Sequence, residues 1–264
     1  MKTWQKIALI VPSIIILIVL LAFIHKAQNE TVLALPKIII HVDGESSFLT
    51  ETELQQRLES ENLIYAGQTF EHLNIHAIER HIEAMPEVKK VLVYAKIGPN
   101  WLIDVELRVP IARIFNQDGE TYYLDSEGYT MRPSSAHTAR VVVVNGCIPD
   151  KLNSPPVPEL INNDSLKSIH KLDDVYRITN YVCNDPFLRA QVAQIHLQKN
   201  GDFVLIPQVG GHTILFGTAY TEQEVSDKFK KLKVFYKHGL PFEGWNKYSE
   251  IILKYENQII GKKK

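Results

Sequence analysis

The sequence predicts an α+β protein built as one N-terminal hydrophobic helix, a small β-α-α-β-β module, and a larger mixed, sheet-rich module with flanking helices. Three observations carry this reading. Residues Ile7 to Ile24 form an apolar run without a charge. Trp101 to Val109 alternates apolar and polar residues with period two, whereas Ile78, Ile82 and Met85 recur at helical spacing. Capping signatures Thr50-x-x-Glu53 and Thr221-x-x-Glu224 mark a helix start in each half, and Asn200-Gly201 joins two β-prone runs.

At ~1.5 Å per residue, Ile7–Ile24 spans about 27 Å, close to the ~30 Å hydrocarbon core of a bilayer. Lys6 and Lys26 stand at its two ends. A cleaved signal peptide would carry a shorter apolar stretch followed by a small-x-small site, but this run leads into Phe23-Ile24-His25-Lys26-Ala27, which favours an uncleaved anchor. Lys2, Lys6 and the amino terminus precede the run, while Glu30 offsets Lys26, so the short tail is expected in the cytoplasm and the rest outside it. The expected segments are a cytoplasmic tail at 1–6, a transmembrane helix at 7–25, a linker at 26–36, modules at 37–110 and 111–260, and a basic tail at 261–264.

A net charge of −1 with 45% hydrophobic residues describes an ordinary globular chain, which argues against a nucleic-acid partner and against disorder. Two cysteines, Cys147 and Cys183, are too few for a disulfide scaffold; one bridge between them and two separate thiols both fit the sequence.

In the first module, Lys37–Val42 reads as a strand ended by Asp43-Gly44. Thr50 caps a helix carrying Leu54 and Leu58, and Asn74 caps a second that Pro86 stops. Val88–Ile97, the turn Gly98-Pro99-Asn100 and Trp101–Val109 complete it. With the Gly67 connection, the Met85-Pro86-x-Val88 step and the Arg108-Val109-Pro110-Ile111-Ala112 exit, this order resembles a POTRA domain. The resemblance implies a module that holds other polypeptides, often by adding a strand to a sheet edge, and has no active site.

The second module begins with a hairpin, Tyr122 to Tyr129, and a strand, Arg140–Asn145. A proline-rich loop, Pro149–Pro158, then leads to a helical stretch from Leu160 to Val182. Gln194–Lys199 and Asp202–Pro207 form the Asn200-Gly201 hairpin, and His212–Phe216 is a further strand. The helix opened by Thr221 buries Val225, Phe229, Leu232 and Tyr236 and closes at Gly239, and Ser249–Ile260 reads as one long terminal strand. With the anchor, the order of Pro110-Ile111-Ala112, Asp125-x-x-Gly128, Ala139-Arg140-Val141 to Gly146, Gly201-Asp202-Phe203, Gly210–Gly217, Lys228-Phe229-x-x-Leu232 and Ile252-Leu253-Lys254-Tyr255 with Asn257-Gln258 is similar to the FtsQ/DivIB family of bacterial cell-division proteins. The resemblance implies a non-enzymatic, single-pass protein of the bacterial inner membrane at the division septum. It also implies FtsL-like and FtsB/DivIC-like coiled-coil membrane partners and a part in controlling septal peptidoglycan synthesis. The six-residue tail is shorter than in many members of that family.

The residues point to no chemistry: no cofactor, metal or catalytic site is expected. His72, His76 and His81 lie close together but lack the glutamate of an HExxH site and read as solvated or half-buried side chains. Asp104 and Glu106 share one strand face and read as its solvated side rather than as a paired-acid site. Among the aromatics near the C-terminus, Phe235 and Tyr236 are expected in the core, whereas Phe242, Trp245, Tyr248 and Tyr255 suit a binding surface. The terminal strand is expected to leave one edge open to a partner strand, with Ile252, Lys254, Tyr255, Asn257 and Gln258 as partner-binding residues and Lys254 facing a partner's carboxylate. Two other classes compete. One is a POTRA-containing accessory of an envelope protein-export or outer-membrane assembly system; an outer-membrane POTRA transporter itself would need a closed barrel, which the expected helices interrupt. An envelope hydrolase would need a cleft with perturbed acids.

Overall fold

Two sheets organise the computed structural model, which describes residues 3–42, 48–96, 98–134, 137–256 and 258–264, with side chains of the first helix described at Pro12 and from Ile14 onward. The chain divides into two units, Met1–Leu107 and Arg108–Lys264.

The first unit opens with helix α1 (Thr3–Asn29). The described apolar stretch of α1, Ile14 to Ile24, is highly exposed. Its eleven residues span about 16 Å, half a bilayer core. Among the described residues no helix is long and apolar enough to cross a membrane. Strand β1 (Lys37–His41) follows, and the expected stop at Asp43-Gly44 lies outside the described residues. Helices α2 (Glu51–Ser60) and α3 (Ile75–Glu83) precede β2 (Val88–Ala95) and β3 (Trp101–Leu107), giving the β-α-α-β-β order. The sheet runs β1-β3-β2, with β1 parallel and β2 antiparallel to β3. Leu54, Leu58, Ile78 and Ile82 pack in one core with Val91, Val93, Ile103 and Val105, as their periodicities require. Leu102 departs from the alternation and is buried as well, and Val109 lies beyond the strand.

Asn74 caps α3 by accepting from the Ala77 amide at 3.0 Å. Thr50 accepts from the Glu53 amide at 3.2 Å, but the Glu53 carboxylate does not return to close the box. It takes Arg57 instead, whose other nitrogen meets buried Glu87 at 2.7 Å. A carboxylate held away from water requires a cation, and that need outweighs the second capping bond.

The second unit comprises β4 (Pro110–Phe115), β5 (Thr121–Asp125), β6 (Thr130–Met131) and β7 (Val142–Gly146). Then come α4 (Val157–Ile161), α5 (Asp164–Lys167), α6 (Leu172–Asn184), α7 (Pro186–Gln191), β8 (Val192–Leu197), β9 (Phe203–Pro207) and β10 (Thr213–Gly217). Helices α8 (Glu222–His238) and α9 (Leu240–Glu243) and strands β11 (Tyr248–Ile252) and β12 (Ile260–Lys263) finish it. The described strands form one mixed sheet ordered β12-β11-β10-β9-β8-β7-β4-β5-β6. Apolar faces of α6 and α8, through Val175, Ile178, Val182, Val225, Phe229 and Leu232, share a core with Ile195, Leu205, Ile214 and Ile251 of the sheet.

The single-helix expectation is corrected here, and two other segments gain detail. The exit segment Pro110–Ala112 is the start of strand β4, with Ile111, Ala112 and Ile114 buried. The single helix Leu160–Val182 is three pieces. Asn163 restarts the chain by accepting from the Ser165 and Leu166 amides. Buried Asp150 then takes both His170 Nδ1 (2.6 Å) and the Lys171 amide (2.8 Å), so the backbone is held out of helix between α5 and α6. Helix α8 closes at Gly239 as expected, at φ −98° rather than through a left-handed turn, and the chain passes directly into α9.

The Asp125-x-x-Gly128 turn shows why its residues are needed. Asp125 Oδ1 accepts from the Glu127 and Tyr129 amides, and its other oxygen takes Arg108 at 2.8 Å. Gly128 sits at φ +83°, where a Cβ would come 2.6 Å from Val157.

Thr221 caps α8 by accepting from the Glu224 amide at 3.1 Å, and Glu224 reaches Thr218, the Tyr220 amide and Lys228. Thr221→Ala should therefore cost about 1 kcal/mol, read as a lower denaturant midpoint at constant m-value. An unchanged midpoint would show that the cap carries no stability.

Candidate partner-binding edge

The expected terminal strand Ser249–Ile260 is a hairpin rather than one strand. β11 is parallel to β10, pairing Leu215 with Ile252, and antiparallel to β12, pairing Ile252 with Ile260. Between them the chain follows the β10 ladder as far as Leu253 and then leaves it. The Leu253 amide donates to the Leu215 carbonyl at 2.9 Å, and the Lys231 ammonium donates to the Tyr255 carbonyl at 2.8 Å. Lys254 pairs with Asp202 at 2.7 Å. The carboxylate opposite Lys254 thus belongs to this chain and not to a partner, and its hydrogen bond raises the lysine pKa above its ordinary value. Burial lowers that of Lys231, with the Lys228 charge adding to it.

The five expected partner residues are therefore spread. Ile252 lies in β11, flanked by strands on both sides. Lys254, Tyr255 and Gln258 are exposed in the loop, Tyr255 by 49%, and Asn257 lies outside the described residues. None of the four described residues sits on a free strand edge. That position belongs to β12, which the sequence reading missed: Ile260 is 40% exposed, Lys262 and Lys263 follow it, and no described strand lies beyond. The available signal was Ile259-Ile260 after the polar turn at Glu256, with a glycine next. A Cβ on Gly261 would meet the Tyr248 ring at 2.5 Å, so β12 lies directly across that ring and only glycine fits there.

The aromatics divide between core and surface. Tyr236 is buried, its hydroxyl pKa pushed up to about 12 by burial, and it stacks on Trp245 with centroids 5.6 Å apart. Phe235 is partly buried and meets the buried Tyr248 edge-on at 5.7 Å. Phe242 is the most solvent-facing of the group, at 86%.

Elsewhere, titratable groups are committed to structural partners. His72 Nδ1 is 2.8 Å from the Thr69 hydroxyl, and His76 lies 3.5 Å from Glu79. Asp104 pairs with His41 at 2.9 Å, and Glu106 with Lys89 at 2.7 Å; the latter bond holds the Glu106 carboxyl below its usual range. Among the described residues no group of three His, Cys, Asp or Glu converges as metal ligands. Both cysteines are free thiols, and burial raises the Cys183 pKa. An open groove of about 340 Å³ beside α6 is lined by Tyr176, Asn180 and Glu222, but its Arg177 is bound to Asp173 and Asp174 and its Asp185 to Lys233.

Such an arrangement defines a two-module α+β protein whose candidate site is a sheet edge with its adjoining loop. A family model described as FtsQ/DivIB, C-terminal related matches residues 109–262, more than half the chain, and a POTRA-like domain model matches residues 37–106. The chain belongs to the FtsQ/DivIB C-terminal related family, a family of non-enzymatic cell-division proteins. No curated protein matches it.

Proposed function

We propose that this protein is a membrane-anchored scaffold of the cell-division machinery. In this reading it binds other single-pass septal proteins through its C-terminal sheet edge and so helps regulate septal peptidoglycan synthesis. The observation that carries the reading is β12: a basic strand with no described strand outside it, reached through a loop that presents Tyr255. A partner strand adding there by main-chain bonds would find lysines suited to an acidic sequence and an aromatic anchor beside the ladder. FtsL-like and FtsB/DivIC-like coiled-coil proteins are the proposed partners. Residues 252–258 flank the contact, and β12 takes its centre. Recovery of such proteins with the chain after crosslinking in cells tests the assignment, and their absence from the crosslinked material would overturn it.

The proposed location is the bacterial inner membrane at the septum, with residues 1–6 cytoplasmic, 7–25 spanning, and the modules of 37–110 and 111–260 outside the cytoplasm. The exposed Ile14–Ile24 face of α1, extended by Ile7–Ile10 of the sequence, supports that reading. A reporter fused after Lys264 that works only outside the cytoplasm should be active, and the native protein should retain its N-terminal residues. Purified native protein lacking residues 1–27 would contradict the anchor.

A further inference from the structure

Strand β2 is an edge strand of the first unit's sheet. It pairs Leu92 with Asp104 and Tyr94 with Leu102, and the Lys96 amide donates to the Asn100 carbonyl to close the hairpin. Two-residue alternation along an antiparallel ladder therefore turns the amides of Val91, Val93 and Ala95 away from β3, toward the side where another strand would add. The central one is already taken. The Val93 amide donates to Glu79 Oε1 of α3 at 3.0 Å, and the other carboxylate oxygen lies 3.5 Å from His76 Nδ1. A helix side chain thus sits where the carbonyl of an added strand would sit, in the middle of the three outward amides.

The edge has reason to be closed. Its sequence, VKKVLVYA, is rich in β-formers, and Leu92 and Tyr94 are 49% and 43% exposed on the face that α2 and α3 leave uncovered. Such a strand is a template for edge-to-edge pairing. The strand is also self-complementary: antiparallel pairing of two copies centred on Val93 would set Leu92 of one opposite Tyr94 of the other, a favourable aliphatic–aromatic cross-strand pair. We infer that Glu79 is a guard that closes β2 to strand addition, and that the partner it excludes is the β2 strand of a second copy of this chain. This inference is independent of the function proposed for the C-terminal edge.

The test uses the full chain in detergent and, as probe, a synthetic peptide of residues 88–95. In the unsubstituted protein and in Glu79→Gln, which keeps an acceptor oxygen, amide exchange at Val93 should be slow and the peptide should not bind. In Glu79→Ala, exchange at Val93 should rise at least tenfold, the peptide should bind at least tenfold more tightly, and the chain should self-associate. Glu79→Ser, polar but too short to reach Val93, repeats the comparison should the alanine variant lose the protection of the Ile78 and Ile82 amides that reports an intact fold. Unchanged β2 exchange and peptide binding in the folded short-side-chain variant would overturn the inference, as would a Glu79→Gln protein that behaves like it.

Discussion

Arg177→Met should destabilise the second unit by about 3–5 kcal/mol, because it leaves Asp173 without its cation in a dry site and Asp174 with Lys171 alone. Arg177, Asp173 and Asp174 are each no more than 9% exposed, and the guanidinium reaches both carboxylates at 2.7 Å and the Ala219 carbonyl at 2.9 Å. Methionine fills a similar volume, so the loss reports charge and hydrogen bonding more than a cavity. The pH dependence provides a second check. Burial already raises the Asp174 carboxyl above its ordinary value, with Asp173 acting in the same sense and Lys171 and Arg177 opposing. A raised folded value means that the native state holds this proton more tightly than the unfolded chain does, so its contribution to stability falls as pH rises through the folded value. Removing Arg177 takes away an opposing charge and pushes the Asp174 carboxyl further up. The destabilisation should therefore be largest near neutral pH and shrink on acidification toward about pH 5. Urea unfolding followed by circular dichroism at both pH values measures it. A loss below about 1 kcal/mol, or one that grows on acidification, would show that the triad is not the electrostatic unit its distances describe.

What the sequence made legible follows from the range of the interactions involved. Period-two alternation in Trp101–Val109, helical spacing of Ile78 and Ile82, the Asn200-Gly201 hairpin and the caps at Thr50, Asn74 and Thr221 are local signals, and each element stands where its residues placed it, β3 ending two residues short at Leu107. The misreadings arise where a distant partner decides. Asp150, far back in the chain, interrupts the expected helix between α5 and α6. Arg57 takes Glu53 from its capping box because Glu87 is buried across the module. Leu215 still holds Leu253 in the ladder, but Lys231 takes the Tyr255 carbonyl beyond it, and one long β segment becomes β11, a loop and β12. The expected terminal strand thus falls on the stretch that holds β11 and the start of β12, but it is two arms of a hairpin rather than one strand. That error also decides which substitutions are informative: a proline at Glu256 falls in the loop and removes no ladder donor.

Partner binding at the C-terminal edge should depend on β12 itself and on Tyr255. Deleting residues 260–264 removes the whole outer ladder while leaving Ile259, which packs against the core, so binding should be lost with the fold retained. Gly261→Val is the sharper probe. Its side chain would enter the space of the Tyr248 ring, 2.5 Å from an ideal Cβ, and must lift β12 off β11 at that point. A strand displaced in this way cannot present a straight row of donors and acceptors, so affinity should fall more than stability does. Tyr255→Ala removes an exposed anchor without touching the ladder and should cost at least ~2 kcal/mol, roughly a thirtyfold rise in Kd, if the ring is buried by the partner. Lys262 and Lys263 add a long-range attraction that salt screens, so affinity for an acidic partner should decline steadily with ionic strength. Calorimetry with the proposed coiled-coil proteins, alongside thermal melting of each variant, separates binding from folding. Unchanged affinity in the 260–264 deletion and in Tyr255→Ala, with melting curves intact, would move the site away from this edge.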